Sequence, residues 1–383
     1  MKKLLLFLAL SPCFIMAQQA PELCQGHYWT EEQGAAFLKK QETQYQSWSD
    51  WQKRAETIKA QIRAGAGLEK LSKAPKTKLI RHSLRQMDGY TVENVAFQSI
   101  KGYYVTGNLY RPSGVTGPFA AILCPHGHWD NPPGRMSEQM QMRCGNLARM
   151  GAVVLSVDMI GYGDSKQTQH KIPDAFTIQT ISNIRALDFL LAQPDIDLER
   201  VAVTGASGGG TQTFMLTALD DRVKVSVPTV MVSAHFFGGC VCESGKPVHK
   251  KGDYQTNNVE IAACAAPRPM MLISDGGDWT KNNPQVEFPF VRWIYSLAGK
   301  PYLVENAHFP EEGHDYGPNK RAAMYGFLVK HLNLDWSKIA PNGKVDESHV
   351  KVLSPAELAV FDEAHPRPKK AKMGDEKVAS LLK

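Results

Sequence analysis

Short runs of consecutive apolar residues recur along this chain, and most are followed by a segment whose apolar positions repeat every three or four residues. Residues 119–124 (Phe-Ala-Ala-Ile-Leu-Cys) and 152–157 (Ala-Val-Val-Leu-Ser-Val) have the continuous pattern of strands buried on both faces. Between them, Met140, Cys144, Leu147 and Ala148 share one face of a helix predicted over 137–150, with Gly151 as its stop. A second helix is predicted over 175–193, apolar through Ile178, Ile181, Ile184, Leu187 and Leu190 and ended by Pro194. Further buried strands are predicted at 201–204, 223–227, 270–274 and 301–304, and a last helix at 320–332. Strands alternating with helices in this way imply an α/β fold: a mostly parallel central sheet flanked by helices. Ahead of it, 91–100 and 103–110 alternate around Lys101-Gly102, as an antiparallel hairpin does.

The flanks read differently. Residues 21–78 are polar and helix-prone, with Trp29, Trp48 and Trp51 among them, and are expected to form helices on the outside of the main domain. Beyond 334 the chain turns polar and rich in Pro and Lys. The stretch 228–266 is too long for a plain connection, and insertions of that kind shape binding sites. The expected organisation is a leader at 1–17, a helical N-terminal extension at 18–90, an α/β domain at 91–334 carrying the 228–266 insertion, and a C-terminal tail at 335–383.

Met1-Lys2-Lys3 and the apolar residues 4–10, ending near Ala17, read as a secretory signal; the apolar run is too short to span a bilayer. Export, most simply to a periplasm, is expected. A lipid anchor on Cys13 is disfavoured because Pro12 stands where a small residue belongs. Losing Lys2 and Lys3 takes the net charge from +6 to +4, and the remaining positives form no clustered basic face, so no nucleic-acid partner is expected. Six of the seven cysteines would survive cleavage. An exported compartment permits disulfides, but spacing does not pair them. Cys240-Val241-Cys242 lacks the second pair that a zinc ribbon needs.

The chemistry concentrates around residues 201–210. A β-branched run leads into Gly205-Ala206-Ser207-Gly208-Gly209, and 211–216 continues as a helix. This is the strand–turn–helix of a nucleophile elbow, in which Gly205 and Gly209 leave room for a strained serine. A serine hydroxyl is a poor nucleophile at neutral pH, so Ser207 needs a base, and the base an orienting acid. Asp275 and Asp278 follow the strand at 270–274; Asp278, deeper in the loop after two glycines, is the preferred acid and Asp275 the runner-up. His314, between the last strand and last helix, is the expected base, with His308 as runner-up. Oxyanion donors are assigned to the backbone N–H groups of Gly208 and His128, with Gly127 giving clearance. A rival reading takes His126, His128 and Asp130 as metal ligands. Alternate histidines of an extended segment point to opposite sides and no further ligand cluster is evident, so no metal and no cofactor are expected.

The elbow Gly-Ala-Ser-Gly-Gly-Gly, the His126-Gly127-His128 loop, Asp158-x-x-Gly161-x-Gly163-x-Ser165, the Gly277-Asp278-Trp279 loop and Gly313-His314 together resemble an α/β-hydrolase of the bacterial acetyl xylan esterase type. The likeness covers roughly 91–334. It implies a serine carbohydrate esterase that removes acetyl or methyl ester groups from a plant cell-wall oligo- or polysaccharide. The elbow lacks the Arg and Lys of the Gly-Cys-Ser-Arg-x-Gly-Lys pattern of glucuronoyl esterases, which weakens that narrower reading. A uronate methylesterase is the main alternative, and a noncatalytic binding protein on the same fold is the alternative from another class. Arg135, His235, Phe236, Phe237, Glu243 and Trp279 are candidates for sugar contact; Arg143 and Lys281 join Arg135 as candidates for holding a uronate carboxylate.

Overall fold

The computed structural model describes residues 29–70, 74–76, 78–130 and 133–383; the leader, Cys13 and Cys24 lie outside them. Helices α1 (Glu31–Glu42) and α2 (Trp48–Gly65) come first, the former entered through a Thr30/Gln33 capping box. Three antiparallel strands follow: β1 (Ile80–Gln86), β2 (Tyr90–Ile100) and β3 (Tyr103–Pro112). The alternation then begins with β4 (Phe119–Leu123), α3 (Glu138–Arg149), β5 (Ala152–Val157), α4 (Ala175–Leu191), β6 (Ile196–Ala206), α5 (Gly208–Leu219) and β7 (Val225–Thr229). The insertion holds α6 (Val241–Ser244), the two-stranded β8 (Lys250–Lys251) and β9 (Tyr254–Gln255), and α7 (Asn258–Ala263). After it come β10 (Met270–Asp275), α8 (Glu287–Leu297), β11 (Val304–Phe309) and α9 (Pro318–Leu332), and the tail adds α10 (Pro355–Leu358) and α11 (Asp375–Ala379).

The nine-stranded sheet has the order β1-β2-β3-β5-β4-β6-β7-β10-β11 and is parallel from β5 onward. The two-residue period of its central strands sends alternate side chains to opposite layers. Ala120, Ile122, Val154 and Ala202 pack toward α3 and α9, whereas Ala121, Leu123, Val153, Leu155, Val201 and Val203 pack toward α4 and α5. Both faces are covered, which is why these strands read as unbroken apolar runs. α1 and α2 lie outside this body, Trp51, Ile58 and Ile62 packing into the cluster that contains α7 and α8.

Three elements differ from expectation. Ile80–Gln86, inside the stretch expected to be helical, is an edge strand; Ser83 at φ 56° accompanies its register shift, and an apolar residue left exposed, Leu84, hides any alternation. The last strand begins where 301–304 ends, at Val304, and runs to Phe309, while Pro301–Leu303 makes a 3₁₀ turn. α8 was not anticipated: Pro289 stands in its first turn, where proline is tolerated.

Candidate active site

Every expected catalytic side chain follows the C-terminal end of a parallel strand. β6 ends at Ala206, and Ser207 adopts φ 58° and ψ −127° before α5 begins. Such a backbone conformation costs a non-glycine residue roughly 1–3 kcal/mol and persists only where the surroundings impose it. Here the Ser207 N–H donates to Thr229 O at 3.1 Å, and its carbonyl accepts from the Gly210 N–H at 2.7 Å. A Cβ on Gly205 would stand 2.5 Å from the carbonyl oxygen of Pro125, and one on Gly209 would stand 2.6 Å from the same atom. The glycines therefore let the loop after β4 approach the elbow backbone to backbone.

That loop is tied down by His126, which is fully buried. Its Nε2 accepts from the Met159 N–H at 2.8 Å and its Nδ1 faces Gly127 O at 2.7 Å. Burial pushes its pKa down to about 3, so the ring is a neutral link between the loops after β4 and β5. With both nitrogens bound to backbone, His126 has none left for a metal. The ring of His128 packs on Gly208, where a Cβ would fall 2.8 Å from its Cε1. Among the described residues, neither the Gly208 nor the His128 amide N–H is committed to a protein acceptor.

In the loop after β10, Asp278 faces His314 Nδ1 through Oδ2 at 2.6 Å, while its Oδ1 accepts from the backbone N–H and hydroxyl of Thr280, both at 2.6 Å. The Asp278 side chain is 2% exposed and the His314 side chain 29%. A carboxylate at Nδ1 holds the proton there and leaves Nε2 as the basic nitrogen. Asp275 serves elsewhere: it lies 3.0 Å from the buried ammonium of Lys320 and accepts from the Gly277 N–H. Burial and the charge of Asp278 raise its pKa, and Lys320 opposes the rise. Lys320, absent from the sequence reading, also donates to Gly313 O and lies 2.8 Å from Asp315, gripping the loop on both sides of His314. His308 is not in that loop; it lies within β11, paired with the Ser274 hydroxyl at 2.9 Å.

The candidates for sugar contact divide. The Trp279 ring lies 4.6 Å from His314 and is stacked by Phe236 at 3.9 Å, both rings partly exposed. Arg135 is a correction: it is fully buried, 2.9 Å from Asp158 and 2.6 Å from Asp164, and donates to Leu358 O, so its charge holds loop to tail. Phe237 is a second correction. It is fully buried, stacked on His249 and edge-on to Trp29. His235 is buried beside Ser233, and Glu243 is buried under Thr211 with its pKa raised by desolvation. Arg143 lies buried over the Tyr316 ring at 4.3 Å, and Lys281 pairs with Glu31 of α1 at 2.9 Å.

A strained serine after a central strand, beside a sheet of this order, places the chain among the α/β-hydrolases. The family profile of acetyl xylan esterases (AXE1) matches residues 65–239. The solved structure of the methylesterase BT1017 is 38% identical with a TM-score of 0.87, covering 92% of this chain and 79% of that one. A glucuronoyl esterase from Solibacter usitatus shares the fold, at TM-score 0.57 and 16% identity over 74% of this chain and 94% of its own. YtaP of Bacillus subtilis, named only as a hydrolase, is 26% identical over 134 residues, 30% of this chain and 45% of that relative, so the match spans less than half of its length. The chain belongs to the acetyl xylan esterase-like carbohydrate esterases of the α/β-hydrolase superfamily, and it is a carboxylic ester hydrolase. Among the described residues no helix is long and apolar enough to cross a membrane.

Proposed function

We propose that this chain is an exported serine esterase that removes methyl esters from uronate units of a plant cell-wall polysaccharide, with Ser207 as nucleophile, His314 as base and Asp278 as orienting acid. The 2.6 Å bond between Asp278 and His314, on loops following adjacent strands, is the observation that carries the catalytic assignment. His314 Nε2 takes the hydroxyl proton as Ser207 attacks the ester carbonyl, and the oxyanion forms against the N–H groups of Gly208 and His128. Methanol leaves with the proton returned by His314, and water then resolves the uronyl-enzyme. The methyl reading is favoured by the likeness to a methylesterase over 92% of the chain. The acetyl xylan esterase profile favours a second reading, in which acetate is the acid released.

The two readings separate on a panel of methyl-esterified and acetylated polysaccharides with released methanol and acetate measured independently. Methanol from uronates is expected, and acetate alone would select the second reading. Ser207→Ala is expected to lower turnover on the order of 10⁴–10⁶-fold, as in other serine triads. Full activity in that variant, with no serine labelled by a fluorophosphonate in the parent enzyme, would overturn the nucleophile.

A further inference from the structure

Four side chains that the esterase chemistry leaves unused converge beside the elbow. One ligand atom from each of His128, His170, Cys240 and Cys242 lies within 4.8 Å of all the others. His128 Nε2 is 3.1 Å from His170 Nε2 and 3.3 Å from Cys242 Sγ, and His170 Nε2 is 3.0 Å from Cys240 Sγ. We propose that these residues form a tetrahedral Cys₂His₂ zinc site that fastens the 228–266 insertion to the loop bearing His128.

The geometry and the donor set agree on this. Zinc bonds of about 2.0–2.1 Å to nitrogen and about 2.3 Å to sulfur give tetrahedral edges of roughly 3.4–3.8 Å. The three separations fall between a few tenths and about half an ångström short of that, so a small outward movement admits the ion. His170 is already oriented as a ligand: its Nδ1 lies 2.6 Å from Ile160 O, which fixes the proton there and turns the Nε2 lone pair into the cluster. Both cysteines are buried and both histidines half-buried, so the thiolates would be sheltered on the interior side of the cluster. Borderline-soft Zn²⁺ suits two thiolates with two imidazoles. Four protein ligands complete its coordination, so the ion acts as a staple and leaves no open position for Lewis-acid chemistry.

The staple joins three segments. His128 follows β4, His170 follows β5, and Cys240 and Cys242 sit at the start of α6 in the insertion. Its nearness to the elbow is set by the His128 ring, which packs on Gly208. The second ligand pair missing from Cys240-Val241-Cys242 thus comes from histidines 42 residues apart that the fold brings together. The site stands independently of the ester that the enzyme cleaves.

The test is metal analysis of the full chain, expressed with zinc present and purified without chelator. About one zinc per chain is expected, released on thiol modification in proportion to the two cysteines. Cobalt substitution of the unmutated protein is expected to produce the visible absorption of tetrahedral sulfur-ligated Co²⁺. Cys240→Ser with Cys242→Ser, and His170→Ala alone, are expected to lose the metal and to melt earlier. If these variants fail to fold, the cobalt spectrum of the unmutated protein decides. Zinc retained by the variants, no metal in zinc-replete unmutated protein, or a native mass lower by two hydrogens with Cys240 bonded to Cys242 would each overturn the site.

Discussion

Two aspartates three residues apart have opposite duties, and local environment separates them. Asp278 hydrogen-bonds His314 and Thr280, whereas Asp275 neutralises Lys320, which has no solvent exposure and grips the histidine loop. Under the proposed mechanism, Asp278→Asn keeps the packing but loses control of the His314 tautomer. Turnover is expected to fall by ~10⁴-fold with little change in melting temperature. Asp275→Asn removes a buried partner from Lys320 while Asp315 and Gly313 O remain. It is expected to cost about 1–3 kcal/mol of stability and to lower turnover less than Asp278→Asn does. Steady-state rates together with denaturant titrations of both variants check this; a reversed pattern would make Asp275 the orienting acid.

At the scale of elements, the insertion stands outside the main sheet's ladder, because β7 pairs in parallel with β10 across it. Its adjacent phenylalanines point to different environments. Phe237 is buried between His249 and Trp29, and Phe236 is half-buried on Trp279 beside His314. Phe237→Ala is expected to destabilise by about 3–5 kcal/mol, the range for truncating a buried aromatic ring. Phe236→Ala is expected to leave stability nearly unchanged, to hydrolyse a small activated ester at a near-normal rate, and to lose ~10-fold in kcat/KM on polymer. Such a loss corresponds to a remote transition-state contact of about 1.4 kcal/mol. Equal losses on both substrates would mean that Phe236 acts only by seating Trp279 against His314.

Across the whole molecule, the C-terminal segment is integral to the fold although its composition reads as an appendage. Val350, Leu353, Leu358 and Val360 are buried. Asn94 of β2 donates to the carbonyls of Glu357 and Ala359, and Arg135 of the turn before α3 donates to that of Leu358, so buried polar groups of the domain find their partners in the tail. Leu358→Ala is expected to cost about 2–5 kcal/mol. Val352→Ala, at a position 41% exposed, is expected to stay within about 0.5 kcal/mol of the parent. Chemical denaturation of the two variants checks this, and equal midpoints would show that the tail contributes nothing to the global transition.

What was legible in the chain alone is what a local window encodes. Central strands buried on both faces read as apolar runs, the glycines around Ser207 announce a turn with no room for side chains, and His314 stands in a loop that precedes a predicted helix. Edge strands β1 and β11 carry too little one-sided burial to imprint such a pattern. The tertiary structure alone decided which aspartate faces His314, that Arg135 and Phe237 are interior residues, and that His128, His170, Cys240 and Cys242 meet. Those outcomes depend on contacts between segments far apart in sequence. Their partners are chosen by how the covered sheet brings loops together at its strand ends, which no local periodicity records.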